Sequence, residues 1–121
     1  MLRACLACLM LMIAGATCTA GEAEDRGRAL VDKAGCIGCH GASLNQPMDA
    51  TTPRLAGQYP DYLKAALLSY RRPATGTVGR SHPVMSALLQ PFSAGDLDDM
   101  AHYIASLPGS LEVAPQGGLK R

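Results

Sequence analysis

The residues of this chain whose types and spacing could do chemistry lie together in one stretch, Cys36-Ile37-Gly38-Cys39-His40. Two thiols held two residues apart can add across the two vinyl groups of one porphyrin edge, and the next residue offers an imidazole to the iron. C-x-x-C-H is the spacing that attaches a c-type haem covalently, and haem iron readily takes a proximal His. The stretch therefore predicts one covalent haem c, bonded to Cys36 and Cys39 and ligated by His40.

A close cysteine pair can also bind zinc, act as a redox dithiol or form a structural disulfide. Structural zinc needs four N or S ligands, commonly from a second Cys or His pair, and the remaining histidines, His82 and His102, lie far apart in the sequence. A thioredoxin-type dithiol would need a βαβ pattern around it, which this chain lacks. A structural disulfide or a chance match is disfavoured by the signs of export and by the cysteine count.

The first twenty residues have the pattern of a secretory signal. Arg3 precedes an apolar run from Ala4 to Ala16, which is shorter than the roughly 20 residues of a membrane span, and small residues follow it. We predict cleavage after Ala20, with cleavage after Ala16 or an uncleaved anchoring helix as alternatives. The mature protein would then be exported to an oxidising compartment and would not be an integral membrane protein.

Cleavage would change the cysteine count and leave a small core. Cys5, Cys8 and Cys18 would leave with the signal, so the only remaining pair is the one in C-x-x-C-H. Exported proteins are usually stabilised by disulfides, so this lone pair favours haem. The chain also has no Trp, one Phe and four Tyr. A small chain with so few bulky residues usually needs additional stabilisation, for example from a bound cofactor.

Charge and composition exclude some functions. Without the predicted signal the chain has ten Lys and Arg, which is the total of eleven less Arg3, against ten Asp and Glu. This balance gives no reason to expect a strongly basic or acidic face. The sequence contains no basic run and no aromatic stacking pattern, so nucleic-acid binding is not expected. It also contains no nucleophile paired with a base and no phosphate-binding loop, so catalysis by the chain itself is not expected.

Three helices are predicted around the motif, and the fold class is all-α. The first runs from Glu22 to Ala34, the second from Pro60 to the arginines after Tyr70, and the third follows Ser93 as N-cap and ends before Pro108. Segments 41–57 and 74–92 are predicted to be irregular loops because Gly and Pro interrupt them. The predicted organisation is a signal over residues 1–20, one domain over 21–108 and a flexible tail over 109–121.

With these features in place, the sequence resembles class I cytochromes c, and most closely one half of the bacterial periplasmic diheme cytochromes. The resemblance covers about Ala23 to Leu107: a helix with Gly27 before CIGCH, then PRLAGQYPDYL, then Met85, then FSAGDLDDMAHYIASL. Diheme relatives continue into a second domain with another C-x-x-C-H, and many have paired methionines at the distal position. This chain has one such motif and a single methionine there.

The resemblance implies a fold and a set of contacts. The N- and C-terminal helices would cross, with a central helix and long loops wrapped around the haem, and Gly27 would lie against Tyr103. The backbone carbonyl of Pro53 would accept a hydrogen bond from the second nitrogen of His40. Met85, eight residues before Ser93, has the family's spacing for the sixth ligand. The alternatives are His82 or an open position.

A haem with both axial positions filled has no place for a substrate, so the prediction is one-electron transfer without turnover. The partners would be redox proteins: a donor and an acceptor such as a dehydrogenase, a quinol-oxidising complex, a terminal oxidase or a reductase. The alternative is a cytochrome c subunit of a periplasmic dehydrogenase or other redox enzyme complex. A gas-binding or peroxidatic haem would require an open sixth position.

Overall fold

The computed structural model describes residues 20–72 and 80–110. In these two ranges the chain forms five helices and no strand: α1 (Ala20–Ala34), α2 (Ile37–His40), α3 (Pro60–Tyr70), α4 (Pro83–Leu89) and α5 (Ala94–Ser106). The all-α class is confirmed. Residues 1–19, which hold nearly all of the predicted signal, and residues 111–121 of the predicted tail lie outside the described residues, as does the segment 73–79.

The main interface joins the first and last helices at a glycine. Gly27 of α1 is buried, and a Cβ added there would lie 2.7 Å from Cβ of Tyr103 and would also collide with the backbone carbonyl of Asp99. Arg26 Nε donates to Asp99 Oδ2 over 3.0 Å beside this contact. The close approach implied for Gly27 is thus present, and it requires a residue without a side chain.

The core lies between α1, α3 and α5. Apolar residues at helical spacing on α5 are almost completely buried, and they are Leu97, Met100, Ala101 and Ile104. Val31 of α1, Leu63 of α3, Leu89 of α4 and two residues outside the helices, Leu44 and Phe92, complete the inner cluster with the small Ala34 and Ala56. Complete burial of a Leu, Ile or Met side chain stabilises the fold by about 1.5–3 kcal/mol.

Two helix starts follow from local chemistry, as predicted. Pro60 occupies the first turn of α3, where its missing N–H costs no helical hydrogen bond. Ser93 caps α5: its Oγ accepts from Asp96 N over 3.1 Å, and Asp96 Oδ2 accepts from Ser93 N over 2.8 Å. This reciprocal pair is a capping box, and α5 therefore begins directly after Ser93, as the sequence predicts.

The prediction of an uninterrupted loop from 74 to 92 is wrong, because α4 lies within it. Pro83 is not a breaker here: it stands at the start of the helix, and His82 is the N-cap in an extended conformation. The ring Nδ1 of His82 accepts from Met85 N over 3.4 Å. Leu89, the last residue of the helix, packs in the core and is only 2% exposed. This burial favours the helix over a loop.

Charge is distributed unevenly despite the balanced total. Between Asp61 and Asp96 the sequence contains four cations and no acidic residue, and the cations are Lys64, Arg71, Arg72 and Arg80. The guanidinium of Arg80 lies 5.6 Å from the ring centroid of Tyr62 and 5.8 Å from that of Tyr70. Three aspartates instead lie in the first half of α5, and one of them, Asp98, pairs with Lys64 over 2.9 Å. The end of α3 and the start of α4 are therefore the cationic side of the molecule.

Candidate functional site

The two motif cysteines lie on one helical turn that directly continues the first helix. Gly35, at φ +70°, ends α1, and the backbone N–H of His40 then donates to the Cys36 carbonyl over 3.0 Å. Cys36 and Cys39 are three residues apart on this turn, so their side chains share a face. Neither thiol forms a disulfide; Cys39 is exposed and Cys36 half-buried. Burial raises the pKa of the Cys36 thiol.

His40 is held by a backbone acceptor far along the chain. The residue is only 6% exposed, and its Nδ1 lies 2.7 Å from the carbonyl oxygen of Pro53. A carbonyl accepts only, so Nδ1 carries the proton, and Nε2 is the nitrogen with a free lone pair. A histidine held in this way presents one defined nitrogen to a metal.

The loop that carries Pro53 is fixed to the motif by backbone hydrogen bonds. Met48 N donates to the Cys39 carbonyl over 2.9 Å, and the carbonyl of Leu44 accepts from Leu55 N over 2.8 Å and from Ala56 N over 3.1 Å. Leu44 itself is buried and has φ +54°, a conformation uncommon for a residue with a side chain. The loop is therefore bonded to the motif at Met48, before Pro53, and is closed on its own residue Leu44 just after Pro53.

A second set of bonds in this loop was not anticipated from the sequence. Asp49 Oδ1 accepts from the backbone N–H groups of Thr51 and Thr52, both over 2.8 Å. It also accepts from the two hydroxyls, over 2.7 Å for Thr51 and 3.1 Å for Thr52. The signal was available, because an Asp followed two and three residues later by Thr is typical of a side-chain-closed turn.

Met85 and His82 lie on the segment that leads into the last helix, and their side chains differ in position. Met85 is half-buried on α4 and packs against the core cluster. His82 is exposed, and its Nδ1 is engaged in capping α4. Met48 is 69% exposed, and His102 is exposed and lies 3.7 Å from Asp98 on α5.

The donor set fits a haem better than it fits zinc. Across the described ranges, no group of three or more His, Cys, Asp or Glu side chains is arranged to hold a metal ion, so the zinc alternative gains no ligand set there. A haem needs less from the protein: two thiols on one face and one imidazole with a free nitrogen. Cys36, Cys39 and His40 supply both.

Over residues 20–72 and 80–110, no helix is both long enough and apolar enough to cross a membrane. The apolar run of the predicted signal lies outside these two ranges.

Comparisons with known proteins agree with the geometry. The sequence model of the family "Cytochrome c" matches residues 24–108. Cytochrome c4 of Stutzerimonas stutzeri is 37% identical over 111 residues, which are 88% of this chain and 50% of that protein. The thiosulfate dehydrogenase electron acceptor of Thiomonas intermedia (strain K12) is 37% identical over 84 residues, 69% of this chain and 36% of that protein.

This chain thus spans half the length of the first relative and about a third of the second. The predicted resemblance to one half of a longer cytochrome is confirmed, as is the small helical fold that it implied. The family implies a covalently bound haem c. With its C-x-x-C-H turn, its buried histidine and a family match over most of its length, the chain belongs to the cytochrome c family.

Proposed function

We propose that this protein is a periplasmic carrier of single electrons that holds one haem c through Cys36 and Cys39, with His40 as the proximal and Met85 as the distal ligand. A bound haem supplies a reversible one-electron couple. Cys36 and Cys39 would hold the group covalently, and His40, fixed by the Pro53 carbonyl, would present Nε2 to its iron. No residue of the chain is assigned a catalytic role.

One observation carries the proposal. His40 is buried, directly follows two free thiols on the same turn, and has its Nδ1 committed to the Pro53 carbonyl over 2.7 Å. A disulfide or a redox dithiol would have no need of a histidine fixed in this way. The arrangement is the one that an imidazole ligand requires, with one nitrogen anchored and the other free.

Met85 is favoured over His82 as the distal ligand by burial. The Met85 side chain packs with the core cluster, while the His82 ring is exposed and accepts the cap hydrogen bond of α4. A Met and His pair would close both axial positions and raise the reduction potential. A closed site supports electron transfer over gas binding or peroxide chemistry.

Processing and location are also part of the proposed function. We infer that residues 1–20 are a cleaved signal, that 21–108 form the cytochrome domain, and that 109–121 form a flexible tail. The support is the apolar run after Arg3, which is typical of an export signal. The first two residues of this tail, Gly109 and Ser110, are an exception because they contact the loop before α3, where Arg54 Nη1 donates to Ser110 Oγ over 3.1 Å.

The test is to express the full chain in a bacterium with cytochrome c assembly and to measure the intact mass. We expect the mature chain from Gly21 plus one haem that stays attached in acid and organic solvent. Cys36→Ala and Cys39→Ala should each reduce this attachment. Haem that extracts from the wild-type protein would contradict the proposal. Carbon monoxide binding by the reduced protein at neutral pH would contradict the closed site.

A second candidate function is favoured by one relative. The Thiomonas protein is named as an electron acceptor of thiosulfate dehydrogenase, and by analogy this chain would be the cytochrome subunit of a redox enzyme complex. Gentle purification of the tagged protein from its native cells distinguishes the two functions. Stoichiometric recovery with one dehydrogenase supports the subunit, and recovery of the cytochrome alone with rapid electron exchange supports the free carrier.

A further inference from the structure

We propose that Asp49 is a positioning residue for the proximal histidine: it holds the Pro53 carbonyl in line with His40 Nδ1 and so controls that hydrogen bond. This inference rests on the proposed role of His40 as a haem ligand. Asp49 is nine residues from His40 in sequence, and its effect would pass through the turn that it closes.

Four hydrogen bonds end on one oxygen of this turn. Asp49 Oδ1 accepts two backbone N–H groups and two hydroxyls, all from Thr51 and Thr52, over 2.7–3.1 Å. These bonds fix the two residues that immediately precede Pro53. Hydrogen bonds to a charged acceptor are roughly twice as strong as those between neutral groups. The orientation of the peptide that enters Pro53 is thereby set by one carboxylate.

Packing contributes little to holding this part of the loop. Asp49, Thr52 and Pro53 line an open surface depression of about 780 Å³. The side chains of Thr51 and Pro53 are exposed and do not belong to the core cluster. Hydrogen bonds therefore restrain this segment more than burial in the core does.

Pro53 lies between two anchors of different kinds. After it, Leu55 N and Ala56 N donate to the carbonyl of the buried Leu44, and this anchor is backbone and core. Before it, the nearest anchor is the Asp49 side chain, which follows the backbone bond from Met48 N to the Cys39 carbonyl. Of these two anchors, only the second can be removed by a single substitution that leaves the backbone and the core unchanged.

The alignment of the Pro53 carbonyl affects the electron density on the imidazole. A well-aligned bond from Nδ1–H to a carbonyl makes the ligand nitrogen more basic and favours the oxidised state of the bound metal. When the carbonyl is free to move, the Nδ1 proton is exposed to solvent more often and the reduction potential rises. A residue with a merely structural role would change stability without changing either property.

The experiment compares Asp49→Ala, Asp49→Asn and wild-type holoprotein by the exchange rate of the His40 Nδ1 proton in NMR and by the reduction potential. Asn is neutral but keeps an oxygen that accepts from the threonines. In Asp49→Ala we expect the His40 Nδ1 proton to exchange roughly tenfold faster than in wild type. In Asp49→Asn we expect its exchange rate to stay within about twofold of wild type. The reduction potential of Asp49→Ala should lie above that of Asp49→Asn. Asp61→Ala, which removes an exposed carboxylate from the first turn of α3, is the matched control for charge.

Equal exchange rates in Asp49→Ala and wild type would overturn the proposal, as would identical potentials in the Ala and Asn variants. If Asp49→Ala does not mature, Thr51→Val and Thr52→Ala each remove one hydroxyl donor and should accelerate exchange to a smaller degree. Unchanged exchange in both would overturn it equally. The proposed function fails separately: in that case the wild-type protein itself gives no haem-shifted His40 ring proton.

Discussion

The segments that carry His40 and Met85, the proposed proximal and distal ligands, are held in different ways. On the proximal side, the turn from Cys36 to His40 follows α1, a backbone bond from Met48 holds the next loop against Cys39, and bonds from Leu55 and Ala56 to Leu44 close that loop. On the distal side, Met85 lies on a seven-residue helix whose cap bond is 3.4 Å long. The proximal side is built from several backbone restraints, and the distal side from one short helix that Leu89 anchors in the core.

This difference indicates a division of roles. In the proposed site, the rigid segment around His40 would keep the attachment geometry constant, and the lightly held helix that carries Met85 would allow the sixth ligand to change at low cost in stability. Substitutions on the two sides should therefore differ in kind, and the expected effects range from loss of the haem protein to small changes in stability.

Substitutions of the proposed ligands should show the largest difference between the proximal and distal sides. His40→Ala should abolish production of the mature haem protein, because the buried imidazole of the motif is lost. Met85→Ala should keep the covalent haem but lose the weak near-infrared sulfur-to-iron band of the oxidised protein, lower the potential and permit carbon monoxide binding. His82→Ala is the control and should keep the band; if it removes the band and Met85→Ala does not, His82 is the ligand.

Gly27→Ala should destabilise the support of the proximal side without altering the ligands. The new methyl group would meet the backbone of Asp99 and Cβ of Tyr103. Overpacking of this kind costs about 3 kcal/mol, offset by about 1 kcal/mol of better helix propensity, so a loss of roughly 2 kcal/mol is expected in denaturant unfolding. Gly95→Ala is the control, since its nearest atom would be Ser93 Oγ at 3.7 Å, and it should be neutral or stabilising.

Helix caps offer a smaller test of the same comparison. Ser93→Ala removes half of the capping box of α5 and should cost about 1 kcal/mol. His82→Ala removes a long and exposed cap bond of α4 and should cost only about 0.3 kcal/mol, below the usual range for caps. Both are measured by thermal unfolding of the holoprotein. A larger loss for His82→Ala than for Ser93→Ala would show that α4 is held more firmly than its contacts indicate.

Acid should act on the proximal loop and on the start of α5. The Thr51 hydroxyl and then the Thr52 N–H lower the pKa of Asp49, and the backbone and side chain of Ser93 lower the pKa of Asp96. A lowered folded-state pKa gives stability that is complete above the unfolded value near 3.8 and is lost as the pH falls through the folded value. Asp49→Asn and Asp96→Asn should therefore flatten the loss of stability below about pH 4, relative to Asp61→Asn.

How far the sequence predicts the molecule depends on whether a feature is local. The starts of α3 and α5 were predictable because Pro60 and the Ser93 and Asp96 pair act within one turn. Helix α4 was missed because Pro has opposite meanings at the first turn and inside a helix, and His82 is an unusual cap. The Gly27 and Pro53 contacts join distant residues, so they came from the family resemblance and not from any periodicity.

Other features had no sequence signal strong enough to use. The positive φ of Leu44 and its carbonyl bonds to Leu55 and Ala56 exist only once the loop has closed on the core. The Asp49 turn did have a local sequence signature, but the role proposed for Asp49 depends on the hydrogen bond from His40 to the Pro53 carbonyl. Ligation of the iron by Met85 stays a prediction, and the ligand substitutions test it.

The cations at the end of α3 and just before α4 give one part of the surface a local charge that the total charge hides. Arg71, Arg72 and Arg80 lie there, while Asp98 and Asp99 of α5 are paired with Lys64 and Arg26. A nearly neutral body with such a local charge experiences little net pull in the field of a partner, but it does experience a torque that turns one end toward it. Salt would then slow the orientation of the encounter more than its frequency, and exchanging Arg71 and Arg72 for Gln would weaken that orientation while moving the total charge by only two units.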